Sequence, residues 1–509
     1  QDNLAFQDVS AEWGFNEKSF SNGAAIIDLY QDGFLDIVIN NIDEEAYLYR
    51  NTGNENKGLN VALRGPDGNV QGLGAKLTLY QGSQTQFKEY YTTRGFQSSI
   101  NHGVHFGLGD QPVDSLKVLW PDGKVQMVQK PKEDLVVAYA DAGASKTKKA
   151  RQKPLFARAD QRLPEKVYHR ENPHNDYQRE VLLPHKMSQF GPAVSVGDIN
   201  NDDLEDFYLG GATGQPGRIY TQNTNGTFTK SKQPVLVSDG LYEDVGSALF
   251  DADGDGDLDL YVSSGGNEWI PFSVTYQDRL YINNNGLFER SQSLPKMVTS
   301  NSVVRPHDID NDGDLDLFVG SRVHPRHYPS SGESWVLENK GGVFSDVSEQ
   351  YLGDRKLGLI TDAKWGDLDG DGLKELVVVG EWTAIKVMKL EGSTMKDQTE
   401  AFGFSDLTGW WYSVVLEDVN SDGKLDILAG NLGLNYKYKA SKEEPFHVFY
   451  NDFDENGMGD IVLGYHDDDG DLYPLRGRQC SSEAIPTISE DFATYDEFGS
   501  ANIDEVYGG

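Results

Sequence analysis

Cysteine is nearly missing from this 509-residue sequence: Cys480 stands alone, which excludes an internal disulfide and any cysteine-based zinc site. Basic charge is scarce too. Lys and Arg number 45 against 81 Asp and Glu, a formal net charge of −36, and such a chain does not neutralise phosphates. Nucleic acid is therefore excluded as a partner, and anionic membrane surfaces are disfavoured. No apolar run approaches the ~20 residues of a spanning helix, and mean hydropathy is −0.55, so no transmembrane segment is expected. The start at Gln1 shows neither a basic n-region nor an apolar h-region. Long helical periodicity is nearly absent. So are the common catalytic signatures: no G-x-S-x-G, no P-loop, no G-x-G-x-x-G after a strand and no H-E-x-x-H occurs.

What is present is material for sheets. The chain is 38% hydrophobic with 55 glycines, and the glycines fall between short β-branched and aromatic runs, which reads as all-β with many hairpins. A nine-residue pattern then repeats, with acidic or amide residues at positions 1, 3 and 5, glycine at 6 and a carboxylate at 9. It occurs in full at Asp251, Asp253, Asp255 and Asp259; at Asp308, Asp310, Asp312 and Asp316; and at Asp367, Asp369, Asp371 and Glu375. It occurs again at Asp418, Asn420, Asp422 and Asp426, and at Asp452, Asp454, Asn456 and Asp460. Two copies deviate: Asp198, Asn200, Asp202 and Asp206 surround Asp203 where glycine is expected, and Asp28, Asp32 and Asp36 flank Tyr30 at the third position.

The spacing has a chemical reason. A hard cation such as Ca²⁺ takes six to eight oxygens, and side chains at positions 1, 3 and 5 of a tight loop converge on one point, with position 9 closing the site. Glycine at position 6 permits the left-handed turn around the ion. A plain Asp-Gly hairpin turn explains one copy equally well, but not seven, because clustered carboxylates repel one another unless a cation screens them. About five to seven calcium ions are expected. Seven would move the formal charge from −36 to −22. Each loop leads into a strand-like run such as Leu-Asp-Leu-Tyr-Val, so an EF-hand is the poorer reading, and Mg²⁺ is disfavoured because it dehydrates reluctantly.

The motif starts at 198, 251, 308, 367, 418 and 452 lie 53, 57, 59, 51 and 34 residues apart, the period of a four-stranded propeller blade. These residues resemble the FG-GAP/VCBS repeat family, whose calcium-loop blades also occur in integrin α-subunit heads. A second signal lies in Gly72 to Ala75, Arg94 to Phe96, His105 to Gly109, Val113-Asp114 and Trp120 to Gly123, which are similar to the ASPIC/UnbV domain. The stretches Gly409 to Tyr412, Gly430 to Asn435, Lys437 to Ser441 and Tyr473 to Arg478 resemble long surface proteins of Bacteroidota. The resemblance implies an all-β chain: a β-propeller of FG-GAP/VCBS blades plus a small β ASPIC/UnbV domain. It implies that residues 1–58 are a repeat from the tail of an earlier propeller, 59–130 the ASPIC/UnbV domain, 131–154 a linker, and 155–509 a propeller of six or seven blades, truncated at its end.

Candidate sites outside the loops have bland readings beside them. Arg94 and His105 are expected to serve internal hydrogen bonds of the small module, in which strands are anticipated at Ala75 to Tyr80, Phe87 to Thr92, Leu116 to Leu119 and Val125 to Val128. His324 and His327 with Arg322 and Arg326 offer a metal or anion clamp, against the simpler reading of a solvated loop. Trp269, Tyr276, Trp335, Trp382, Trp410, Trp411 and Tyr412 offer stacking platforms, against core packing between blades. The function expected is a non-catalytic, calcium-stabilised extracellular or cell-surface scaffold that captures a glycan or protein, with outer-membrane subunits as partners. The alternative is a secreted polysaccharide-active enzyme using the propeller face, which requires perturbed carboxylates or histidines in a cleft away from every calcium loop.

Overall fold

The structure is a computed structural model that describes residues 7–30, 32, 34–53, 57–93, 95, 98–100, 103–109, 111–132, 135–143, 155–433, 436, 440–467 and 470–508. Arg94, Phe96, Gly33, Leu434, Asn435 and the 437–439 stretch, all singled out above, lie outside the described residues. The chain forms two compact units, Gln1–Ala157 and Arg158–Gly509.

In the first unit, strands Ser21–Ile27, Asp36–Asn41 and Tyr47–Tyr49 form an antiparallel sheet around the first acidic loop. A small β module follows. Its four-stranded sheet orders Gln84–Glu89, Lys76–Gln81, Ser115–Leu119 and Val125–Gln129, and a second sheet sets Lys57–Arg64 between Leu135–Ala138 and Val104–Gly109. Alternation of apolar and polar residues puts Leu77, Leu79, Leu116 and Val118 on one face, where they pack with Leu59, Val61, Phe106 and Trp120. Two expectations are corrected here. The strand placed at Phe87 to Thr92 starts at Gln84, because Gly82 and Ser83 form a two-residue turn that pairs Gln81 with Gln84. Part of the expected linker, Leu135–Ala138, is a strand parallel to Lys57–Arg64, since Val137 alternates inward and is buried against the core. Residues 144–154 of that stretch lie outside the described residues. Pro121 to Gly123 form the turn between Ser115–Leu119 and Val125–Gln129, and His105 Nδ1 is 2.7 Å from Asn60 Oδ1.

The second unit is a succession of antiparallel sheets in chain order. Its first four groups hold four strands each: Val194–Gly197, Asp206–Leu209, Arg218–Gln222 and Phe228–Lys230 in the first; Asp244–Phe250, Asp259–Ser264, Arg279–Asn284 and Leu287–Arg290 in the second. The third has Ser300–His307, Asp316–Val323, Trp335–Lys340 and Val343–Asp346, and the fourth Leu359–Gly366, Glu375–Thr383, Lys386–Glu391 and Thr394–Asp397, which Glu375–Thr383 joins to Gly409–Glu417 so that with Asp426–Asn431 they make one six-stranded sheet. Gly409–Glu417 with Asp426–Asn431, and His447–Asn451 with Asp460–His466 and Leu472–Pro474, continue the series. Short helices between Arg478 and Tyr507 end the unit.

The arrangement is that of propeller blades. The first strand of each four-stranded sheet lies against the first strand of the next. The apolar clusters straddle neighbours: Tyr208 and Ile219 pack with Leu260 and Val262, Leu280 with Leu317 and Val319, Phe318 and Val336 with Ile360 and Val378, and Val377 and Val379 with Val414. Each of these cores is shared between successive sheets, so stacking buries what one sheet leaves open. Gly246 shows how tight this is, since a Cβ there would stand 2.4 Å from the Ser302 carbonyl oxygen of the next sheet. The segment Leu182 to Met187, ahead of the first sheet, packs with Tyr328, Leu359, Ile461 and Leu463.

Candidate metal loops

Each acidic loop spans the connection between the first and second strands of its sheet, and position 9 is the first residue of the second strand in all seven copies. That residue is a hub. Its carboxylate accepts the backbone N–H of position 2 in every loop: Leu29 to Asp36, Ile199 to Asp206, Ala252 to Asp259, Ile309 to Asp316, Leu368 to Glu375, Val419 to Asp426 and Phe453 to Asp460, at 2.8–3.2 Å. Its other oxygen accepts a backbone N–H from the third strand in three sheets, from Gln222, Asn283 and Asn339, and in the first from Asn51, two residues past the third strand. The carboxylates of Asp36, Asp206, Asp259, Asp316 and Glu375 are thereby buried.

Positions 1 and 5 complete the frame. The position 1 carboxylate accepts the N–H of position 6 in six loops, from Asp203, Gly256, Gly313, Gly372, Gly423 and Gly457. Position 5 accepts from position 7, as Asp255 does from Asp257 at 3.0 Å and Asp312 from Asp314 at 3.0 Å. These bonds use backbone donors to aim the remaining oxygens inward. In four loops three carboxylates each bring an oxygen within 4.8 Å of the others: Asp251, Asp253 and Asp255; Asp308, Asp310 and Asp316; Asp367, Asp369 and Asp371; Asp452, Asp454 and Asp460. Asp253 Oδ1 is buried with no hydrogen-bond partner in the protein. Burial, with neighbouring aspartates adding, pushes Asp259, Asp316 and Asp460 up to about 6 against the pull of their backbone hydrogen bonds. A cation among these oxygens removes both costs, so the residues present fit a bound metal ion.

The other copies differ. At 198 and 418 the third position is an amide, Asn200 and Asn420, whose oxygens accept the N–H of Asp202 and Asp422. Asp203 holds the left-handed φ of 62° that glycine takes elsewhere. At the first loop Arg50 stands where a cation is expected: its guanidinium lies 3.3 Å from Asp32 and 4.2 Å from the centre of the Tyr30 ring. Lys389 plays the same part in the fourth sheet. Its ammonium bonds Asp369 and also Asp371 at 2.6 Å, with Glu375 at 3.4 Å. A divalent ion must displace that ammonium. With the competing ammonium removed, Lys389→Met is expected to tighten cation binding at this loop. Calcium titration of the two proteins checks this, and equal affinities contradict it.

Two features of these loops escaped the sequence reading. Position 4 is left-handed as well, with φ of 57° at Asn201, 60° at Asn311 and 80° at Gly254. The loops are also tied to neighbouring sheets: Asn283 Nδ2 donates to Ile199 O at 2.8 Å and Asn339 Nδ2 to Ala252 O at 2.8 Å, each reaching the position 2 carbonyl of the preceding loop. The Asn and Gly residues at position 4 were the available signal for the first; the second had none.

The histidine and aromatic candidates are dispersed. Arg322 is buried and its guanidinium bonds Glu381, whereas the Arg326 guanidinium donates to Glu268 O and its backbone N–H to Asn267 Oδ1, so the two guanidiniums do not converge with His324 and His327. His327 Nδ1 is 2.9 Å from the Tyr450 hydroxyl, and burial lowers both histidines. Tyr276 and Trp335 are core residues. Trp410 packs edge-on against Trp382 while Trp411 joins the cluster around Val377 and Val414, the opposite faces that a strand gives adjacent residues. Trp269 and Tyr412 keep 37% and 39% of their surface exposed and remain available to a ligand.

Two family models match the chain. The model described as ASPIC and UnbV covers residues 65–144, and the FG-GAP-like repeat model matches three times, over residues 198–262, 308–378 and 367–429. No curated protein matches the chain.

Proposed function

We propose that this chain, an FG-GAP repeat protein with an ASPIC/UnbV domain, is a non-catalytic, calcium-stabilised binding scaffold that works outside the cell or on its surface. The observation that carries the reading is the convergence of three carboxylates in each of four repeated loops, on frames of backbone N–H groups that hold the oxygens in place. All-oxygen donor sets suit a hard ion, and loops of modest affinity fill at extracellular calcium levels and empty at cytosolic ones. The acids are thus spent on ions that brace the sheets, and the ligand surface lies elsewhere, at exposed aromatics such as Trp269 and Tyr412. A glycan or an extracellular protein is the ligand class, and outer-membrane subunits are the proposed partners.

One observation favours a second reading, a polysaccharide-active enzyme. A cavity of about 280 Å³, away from every acidic loop, is lined by Asp176, Glu180, Asn267 and Arg326. Glu268 lies next to it in sequence, and burial raises Glu180 and pushes Glu268 up to about 7. A screen of immobilised glycans and extracellular proteins in calcium, with chromatography of the supernatant, separates the two. Retention that disappears in EDTA, with no shortened product, is the expected result. Released oligosaccharides favour the enzyme, and retention indifferent to EDTA contradicts the calcium-dependent scaffold.

A further inference from the structure

We propose that His169, Glu171 and Glu243 form a binding site for one divalent ion of the zinc type, distinct from the acidic loops. One ligand atom from each lies within 4.8 Å of the others, the only such group among the described residues that includes a histidine. Glu243 directly precedes the strand Asp244–Phe250, at the end away from the loop that begins at Asp251. The seven residues of that strand separate the two positions, a span of about 26 Å. The site is therefore at the opposite edge of the same sheet from its calcium-type loop.

The second observation is what these side chains leave undone. Glu243 is 2% exposed, and Oε2 accepts the Thr213 N–H at 2.6 Å while Oε1 has no hydrogen-bond partner in the protein. His169 Nδ1 and Glu171 Oε2 are likewise buried without partners. The one bond inside the group, His169 Nε2 to Glu171 Oε1 at 2.7 Å, accounts for that pair and leaves Glu243 unexplained. A buried carboxylate oxygen is destabilising unless a charge or donor meets it. Gly191 backs the site: a Cβ there would stand 3.5 Å from Glu243 Oε1 and 3.6 Å from His169 Cε1, so the position without a side chain leaves the space in front of both open.

The donor set selects the ion. An imidazole nitrogen with two carboxylates suits zinc and its borderline neighbours, whereas calcium takes oxygen donors almost alone. The Thr213 N–H fixes the orientation of Glu243, the kind of outer contact that holds a metal ligand in place. His169 and Glu171, two positions apart in a segment without helix, project from one side of the chain as the geometry requires.

Co²⁺ titration of the full chain in millimolar calcium, which saturates the acidic loops, tests the assignment. One equivalent of Co²⁺ is expected to give a visible d–d absorption band that Zn²⁺ abolishes by displacement. Glu243→Gln and His169→Ala are each expected to weaken Co²⁺ binding at least about tenfold while the calcium-dependent rise in melting temperature stays as in the parent. His169 is partly exposed, so its variant remains informative if Glu243→Gln fails to fold. Absence of the band, or Co²⁺ binding of equal strength in parent and His169→Ala protein, overturns the proposal.

Discussion

In excess EDTA the protein is expected to melt about 4–9 °C lower than in ~2 mM calcium, and to become readily cleaved by protease. The magnitude follows from mass action. Extracellular calcium modules bind with dissociation constants of about 10⁻⁴ to 10⁻³ M, so each filled loop adds roughly 0.7–2 kcal/mol at ~2 mM ion. The four loops in which three carboxylates converge then contribute about 3–7 kcal/mol together. The loss is not confined to the loops. Position 9 anchors the start of each second strand, and Asn283 and Asn339 bind the position 2 carbonyls of the preceding loops, so a loop that splays open loosens the contact between two sheets. With Cys480 the single cysteine, no disulfide backs these contacts up. A melt unchanged by EDTA contradicts the account.

The second large effect lies at Glu381. Its carboxylate is fully buried and receives Arg322, His185 at 2.7 Å, Tyr412 at 2.9 Å and Tyr328 at 3.1 Å. Burial alone would raise its pKa, but the Arg322 guanidinium outweighs it, with His185 and Tyr412 adding, and the group is held down at about 2. The partners come from the segment before the first sheet, from the second strand of the third sheet and the loop that leaves it, and from the strand Gly409–Glu417, so this one acid ties several parts of the unit together. Glu381→Gln leaves Arg322 buried without a counter-charge and is expected to cost about 3–5 kcal/mol, roughly 4–7 °C in melting temperature. Replacing both, as Arg322→Met with Glu381→Leu, is expected to recover part of that loss, because the uncompensated charge goes too. The pH dependence has a definite sign. A folded pKa below the free value of about 4.3 gives stability that is present above that value and lost as pH falls through about 2. Glu381→Gln should flatten the acid limb of the stability curve over that window; an acid limb identical to the parent's contradicts the role given to this carboxylate.

The acidic loops were legible because their chemistry is local: nine consecutive residues carry the donors, the turn and the first residue of the next strand. The blades were legible for a related reason, since a 50-residue period with Asn-Gly turns such as Asn285-Gly286 repeats the same hairpins. What escaped depends on residues far apart. Lys389 and Arg50 reach their loops from the third strand or just beyond it, 18–20 residues away. Glu381 gathers partners from 31 to 196 residues away, and Glu243 meets His169 across more than 70 positions of sequence, so no window of the chain announces either cluster. The strand at Gln84 was misplaced for the opposite reason, a turn too short to interrupt the apolar alternation. Leu135–Ala138 was hidden by the charged residues that follow it.

The central claim is that cations brace the stacked sheets, and the direct measurement is the number of calcium ions bound per chain. Equilibrium dialysis of the metal-stripped protein into ~2 mM calcium, with elemental analysis, is expected to give between four and seven equivalents. The same measurement on Asp255→Ala protein should give about one fewer. A chain that retains no calcium, or an Asp255→Ala variant that retains as much as its parent, contradicts the account.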